Sequence, residues 1–126
     1  MSNIRSFREL KVWQKAMDVA MHVFALSQKF PVEERYSLTD QVRRSSRSVP
    51  ANISEAWRKR RYPAAFVSKL NDAEGEAAET QTHIELALRC RYLTDDQAKA
   101  LDQQCEEVLA MLTEMAAHPE QWTIRR

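Results

Sequence analysis

The sequence predicts an all-α protein: an antiparallel up-down-up-down four-helix bundle whose second helix is kinked at Pro50. Three observations carry this. Glycine occurs once and proline four times in 126 residues, which leaves little material for the tight turns of a sheet protein. Apolar residues recur at three- and four-residue steps through four long segments, the period of a helix with one face toward a core. Short connections such as Phe30-Pro31, Tyr62-Pro63 and Tyr92-Leu93-Thr94 separate those segments and favour antiparallel neighbours. The length suits one core and is too short for two ordinary ones, so residues 1–126 read as one domain.

The first helix is expected over about residues 7–28, with Leu10, Trp13, Ala16, Met17, Ala20, Phe24 and Ser27 inward and Val12, Val19, Val23 and Leu26 widening the face. So broad an apolar face needs cover on more than one side. The bundle covers one side, and a subunit contact is the expected cover for the rest.

Ser37 or Thr39 caps the second helix, about residues 38–60. Its inward stripe is Leu38, Val42, Val49, Ile53, Ala56 and Trp57. Pro50 lies inside that stripe, where it removes a backbone donor and crowds the carbonyl of Ser46. A kink or short break is expected, eased by Ser45, Ser46, Ser48 and Asn52, whose side chains can bond freed backbone groups. A bend that wraps the helix around its core accounts for Pro50 more simply than a bend for ligand access.

Pro63 fits the first turn of the third helix, about residues 63–91, where its missing donor has no intrahelical partner. Phe66, Leu70, Ala73, Ala77, Thr80, Ile84, Ala87 and Arg91 keep strict helical spacing. The small residues Ala73, Gly75, Ala77 and Ala78 suggest that a neighbouring backbone approaches closely. Thr94 with Gln97 predicts a capping box for the fourth helix, about residues 95–117, whose stripe is Ala98, Leu101, Cys105, Val108, Leu109, Leu112 and Met115. Pro119 ends it. The tail from Glu120 reads as mobile, with Trp122 and Ile124 able to fold back.

Charge is unevenly distributed. Residues 43–69 hold eight basic side chains against Glu55 alone, a local charge of +7, while residues 70–120 hold twelve carboxylates against three basic groups, a local charge of −9. Such polarity suits an acidic partner on one surface and a basic partner on the other. The sequence has no membrane-length apolar run and no secretory leader pattern, so a soluble, cytoplasmic protein without a membrane partner is expected. Cys90 and Cys105 lack ligand spacing and read as small buried thiols.

Residue spacing points away from enzyme chemistry. A di-iron bundle needs Glu-x-x-His on two helices, whereas Glu79–His83 and Glu114–His118 are four apart, the spacing of a surface helix pair. Ser45, Ser46 and Ser48 have no histidine in local register. No catalytic residue, metal site or cofactor site is predicted, and the protein reads as no enzyme.

The basic block is the functional handle. Arg43, Arg44, Arg47, Arg58, Lys59, Arg60 and Arg61 are the candidate nucleic-acid contacts, and Arg43, Arg47, Arg58 and Arg61 would line one helix flank for about 27 Å. Trp57 and Tyr62 bracket the last four and could stack on bases, although Trp57 falls on the apolar side and suits the core better. For the arginines the competing reading is a solvated or salt-bridged face.

Three segments resemble a known family: Phe7-Arg-Glu-Leu-Lys-Val-Trp13, Leu38-Thr-Asp-Gln-Val-Arg-Arg44 and Ser48-Val-Pro-Ala-Asn-Ile-Ser-Glu55. They are similar to the bacterial four-helix-bundle proteins encoded in 23S ribosomal RNA intervening sequences, and the similarity covers nearly the whole chain. Ala56 stands where that family usually has glycine, and Glu76 where serine is usual. The resemblance implies a ring-shaped homopentamer with a basic surface proposed to bind nucleic acid, and no established catalytic residues. Related proteins include the accessory variability determinants of diversity-generating retroelements. Together these readings give a non-enzymatic, oligomeric nucleic-acid-binding protein that favours RNA. The alternative is a scaffold or adaptor that engages a protein partner through its oppositely charged faces.

Overall fold

The structure, a computed structural model, describes residues 4–123. It contains α1 (Lys11–Ser27), α2 (Leu38–Arg58), α3 (Pro63–Arg89) and α4 (Asp95–Ala117), with 3-10 turns at Phe7–Glu9, Val32–Glu34 and Pro119–Gln121 and no strand among the described residues. α2 packs between α1 and α3, and α4 closes the bundle between α3 and α1. Bonds between helices give the sense of each pairing. Lys15 meets Glu107 while the later His22 meets the earlier Gln104, so α1 and α4 run antiparallel. The same crossing of order holds for α2 with α3, through Ser45–Thr80 and Glu55–Lys69, and for α3 with α4, through Glu74–Thr113 and Gln81–Asp102.

The core is assembled from the predicted stripes of α2, α3 and α4 almost unchanged. Phe66, Ile53, Leu70, Leu101 and Leu112 are fully enclosed, each contributing about 1.5–3 kcal/mol by leaving water. Ala56 is buried as well, so its methyl group fills core space. At the centre a cavity of only about 10 Å³, lined by small residues such as Ala16, Ala77 and Cys105, holds at most one water molecule.

The first helix departs from expectation. Ser6 caps a single 3-10 turn, Leu10 then takes an extended conformation with its side chain buried, and α1 begins only at Lys11. Its buried face is Val12, Ala16, Val19, Ala20, Val23 and Ser27. Trp13 and Phe24 therefore flank the core, and Met17 and Met21 are exposed. The Phe7 ring meets Trp13 edge-on at 5.4 Å, which fixes the segment before α1 onto the bundle.

Ser37 caps α2, and Thr39 is a buried residue of its first turn. α2 continues through Pro50 without a break. Ser45 and Ser46 donate to the carbonyls of Val42 and Arg43, and Asn52 donates to that of Ser48, but none of these bonds reaches the Ser46 carbonyl that Pro50 leaves without its usual donor. In α3, Ala73 and Ala77 are buried, but Gly75 and Ala78 are exposed, and a Cβ at Gly75 would meet nothing within 4 Å. Close approach at Gly75 is thus not what the chain itself provides. Arg91 also leaves the predicted stripe: α3 ends at Arg89, and Arg91 sits exposed at φ 65° in the turn.

The capping box of α4 is present, with Gln97 N–H donating to Thr94 Oγ1 and Thr94 N–H to Gln97 Oε1. Cys105 is buried and its thiol is pushed up to about 12, chiefly by burial, whereas Cys90 is exposed, contrary to the sequence reading. Beyond α4 the chain does not trail away: Pro119–Gln121 forms a 3-10 turn and Trp122 packs against the core. The expectation for Ile124 lies outside the described residues.

Candidate nucleic-acid interface

The basic block occupies most of α2 and the turn after it, and its members separate into three groups. Arg43 and Arg47 follow the flank of α2 that faces α1. Arg43 Nε donates to Ser27 Oγ at 2.8 Å, and its guanidinium lies 4.9 Å from the centre of the Phe24 ring. Arg47 approaches the same ring at 5.8 Å. Phe24 is therefore displaced from the core to support two cations, a role that helical period alone did not reveal. Arg58, Lys59 and Arg61 are exposed where α2 ends and the chain turns.

Arg44 and Arg60 leave this surface. Arg44 is on the opposite flank, in a polar groove with Ser48, Glu76, Glu79 and His83. Burial and Glu79 hold the Glu76 carboxyl above the ordinary carboxylate range, against the opposing pull of Arg44. Arg60 folds back: its guanidinium stacks 3.4 Å from the Trp57 ring centre and its Nε donates to the Trp57 carbonyl at 2.8 Å. Burial and then Arg58 push the Arg60 pKa below the ordinary arginine value. Trp57 is only 5% exposed, so it belongs to the core and cannot offer its face to a base; Tyr62, at 62%, can.

The electrostatic state of the exposed arginines depends on where Glu55, the one carboxylate inside the basic block, goes. Glu55 binds Lys69 at 3.0 Å, and Lys69 also reaches Asp72 at 3.7 Å. Both partners raise the Lys69 pKa, Glu55 most strongly. None of the seven candidate side chains has an ion-pair partner among the described residues. A row of fixed positive charges without internal counter-ions attracts polyanions and releases their counter-ions on contact.

Beside the groove, His83 Nδ1 lies 3.2 Å from Ser45 Oγ, a pairing of residues 38 apart that the sequence could not place. Ser45 is buried, accepts from Thr80 Oγ1 at 2.8 Å and bonds the Val42 carbonyl, and burial lowers the His83 pKa. The serine hydroxyl is buried between α2 and α3 at the edge of the same groove, whose lining includes Ser45. Among the described residues no three His, Cys, Asp or Glu side chains are arranged to hold a metal ion, and no helix is long and apolar enough to cross a membrane.

Residues 8–114 match the profile of the 23S rRNA-intervening sequence protein family. The chain belongs to this family. The matched span contains the whole basic block and all of α1, α2 and α3, and ends within α4. This 23S rRNA-intervening sequence protein is also similar to a crystal structure at 1.70 Å of a protein with unknown function from the S23 ribosomal protein family of Bacteroides thetaiotaomicron VPI-5482. The two share 30% identity at a TM-score of 0.76, over 84% of this chain and 95% of that one. No curated protein matches the chain.

Proposed function

We propose that this protein is a non-enzymatic, cytoplasmic nucleic-acid-binding protein that favours RNA and works as a homo-oligomer, most simply a pentamer. The observation that carries the reading is the absence of ion-pair partners, among the described residues, along α2 and the turn after it: Glu55 is taken by Lys69, and Arg43, Arg47, Arg58 and Arg61 are left to external anions. The family's association with ribosomal RNA intervening sequences favours RNA as the polyanion. Each subunit binds weakly through so few phosphate contacts. A closed ring brings several such rows to one strand and raises the effective concentration of each. The exposed side chains of Met17 and Met21 on α1 mark the face that a neighbouring subunit would cover.

Titration of a structured RNA across a range of salt tests the reading. Four phosphate contacts per site give a log-log slope between about −3 and −4 on a structured RNA with single-stranded and paired segments, and undetectable binding at low salt would leave the adaptor reading in its place.

A further inference from the structure

A second basic feature overlaps the block singled out by charge only at Arg43. At the corner where α1 passes into α2, a groove of about 320 Å³ is lined by residues that include Arg35, Thr39 and Arg43, with no carboxylate among them. Arg43 is anchored there through Nε, which donates to Ser27 Oγ, and its two terminal nitrogens have no protein partner among the described residues. Arg35 is exposed beside Tyr36, and it too forms no ion pair among the described residues. The nearby Glu34 is already committed to Ser37, the Leu38 N–H and Tyr92.

Thr39 is the informative member. Its residue is only 8% exposed, and its Oγ1 is the single buried side-chain polar atom without a hydrogen-bond partner among the described residues. A protein rarely leaves such a group unsatisfied, and those that remain call for a specific explanation. Thr39 also stands in the first turn of α2, one residue after Leu38, whose own N–H is already taken by Glu34 and Ser37. Pro31 and Val32 add an apolar rim, with Val32 68% exposed.

We propose that this groove binds a phosphate monoester. The guanidinium groups of Arg35 and Arg43 would take two of its oxygens, the Thr39 hydroxyl would donate to a third, and the carbon side of the ester would lie on Pro31 and Val32. The phosphate could belong to the 5′ end of a nucleic-acid strand or to a free mononucleotide. The proposal shares Arg43 with the α2 row but does not require that row to bind RNA.

Calorimetry with inorganic phosphate and adenosine 5′-monophosphate tests the site on the intact protein, beside the variants Arg35→Gln and Thr39→Val. Saturable binding that falls at least about tenfold in each variant is expected, since each removes a hydrogen bond to a charged group. Thr39→Val keeps the shape of the side chain, so it should melt no lower than the parent. No saturable binding of either probe overturns the proposal, and so does unchanged binding in Thr39→Val. Oligoribonucleotides with a 5′-phosphate or a 5′-hydroxyl then separate the sources. Preference for the phosphorylated strand assigns the strand end, and equal binding beside intact mononucleotide binding assigns the free ester. Loss of the phosphate site with RNA binding intact sinks this proposal alone, and the reverse sinks the RNA reading alone.

Discussion

Tyr92 donates its phenolic O–H to Glu34 Oε2 at 2.8 Å and so ties the turn between α3 and α4 to the turn between α1 and α2. Glu34 also accepts from Ser37 Oγ and the Leu38 N–H, and these bonds, Ser37 first, hold its carboxyl below the ordinary value. Tyr92 is pushed up to about 12, mainly by its bond to Glu34. The folded state therefore favours neutral Tyr92 and ionised Glu34. Stability from Tyr92 is present below its unfolded value near 10 and is lost as pH rises toward 12. Stability from Glu34 is present above its unfolded value and is lost as pH falls through the depressed one. Tyr92→Phe should flatten the alkaline fall of the thermal midpoint, and an unchanged alkaline limb would show that the bond does not persist in solution.

Arg91 occupies a position made for glycine. Tyr92 N–H bonds the Ala87 carbonyl and Arg91 N–H that of Leu88, which together form a Schellman end to α3 with Arg91 in the left-handed region. A side chain there costs about 1–2 kcal/mol. Arg91→Gly should raise the urea midpoint by an amount equivalent to about 1 kcal/mol without altering helicity.

Gly75 presents the converse case, a glycine inside a helix with open space where its side chain would be. Gly75→Ala should stabilise the fold by about 1 kcal/mol. A loss of stability or of oligomer mass would place a neighbouring subunit against this position.

The last prediction separates phosphate contact from assembly. Arg58 and Arg61 are exposed and have no ion-pair partner among the described residues, so Arg58→Glu with Arg61→Glu should leave helicity and thermal midpoint nearly unchanged. RNA affinity should be lost, and light scattering should return the parent mass. If the acidic faces of α3 and α4 on a neighbour hold these arginines instead, the assembly dissociates before any RNA is added. An intact assembly that binds RNA as well as the parent would sink the phosphate reading.

Sequence was a good guide wherever one face of a helix was clearly polar. α2, α3 and α4 each have charged or amide residues opposite their stripes, and their buried residues are those the period selects. α1 is apolar on most sides, so period left both Phe24 and Val23 as inward candidates; Val23 is buried, and Phe24 lies at the flank against the guanidinium groups of Arg43 and Arg47. The basic block was legible for the same reason, as charge concentrated in one segment. What it did not reveal was direction: Arg44 turns toward carboxylates of α3 and Arg60 toward Trp57, because those partners are supplied by packing and by a local reversal of the chain. Arg35 escaped notice, and Thr39 was read only as a helix cap, because the groove they line exists only once two helices meet.

Ile4 and Trp122 line one and the same groove between α1 and α4, which means that the chain returns to its starting point after four helices. A short linker joining the two ends would therefore add little loop-closure entropy. New ends could be opened at the exposed Arg61 and Tyr62, between α2 and α3. The resulting circular permutant would begin with α3 and α4, run through the former ends into α1, and finish on the arginine row of α2, leaving that row next to a free terminus where a cross-linker or label could be attached.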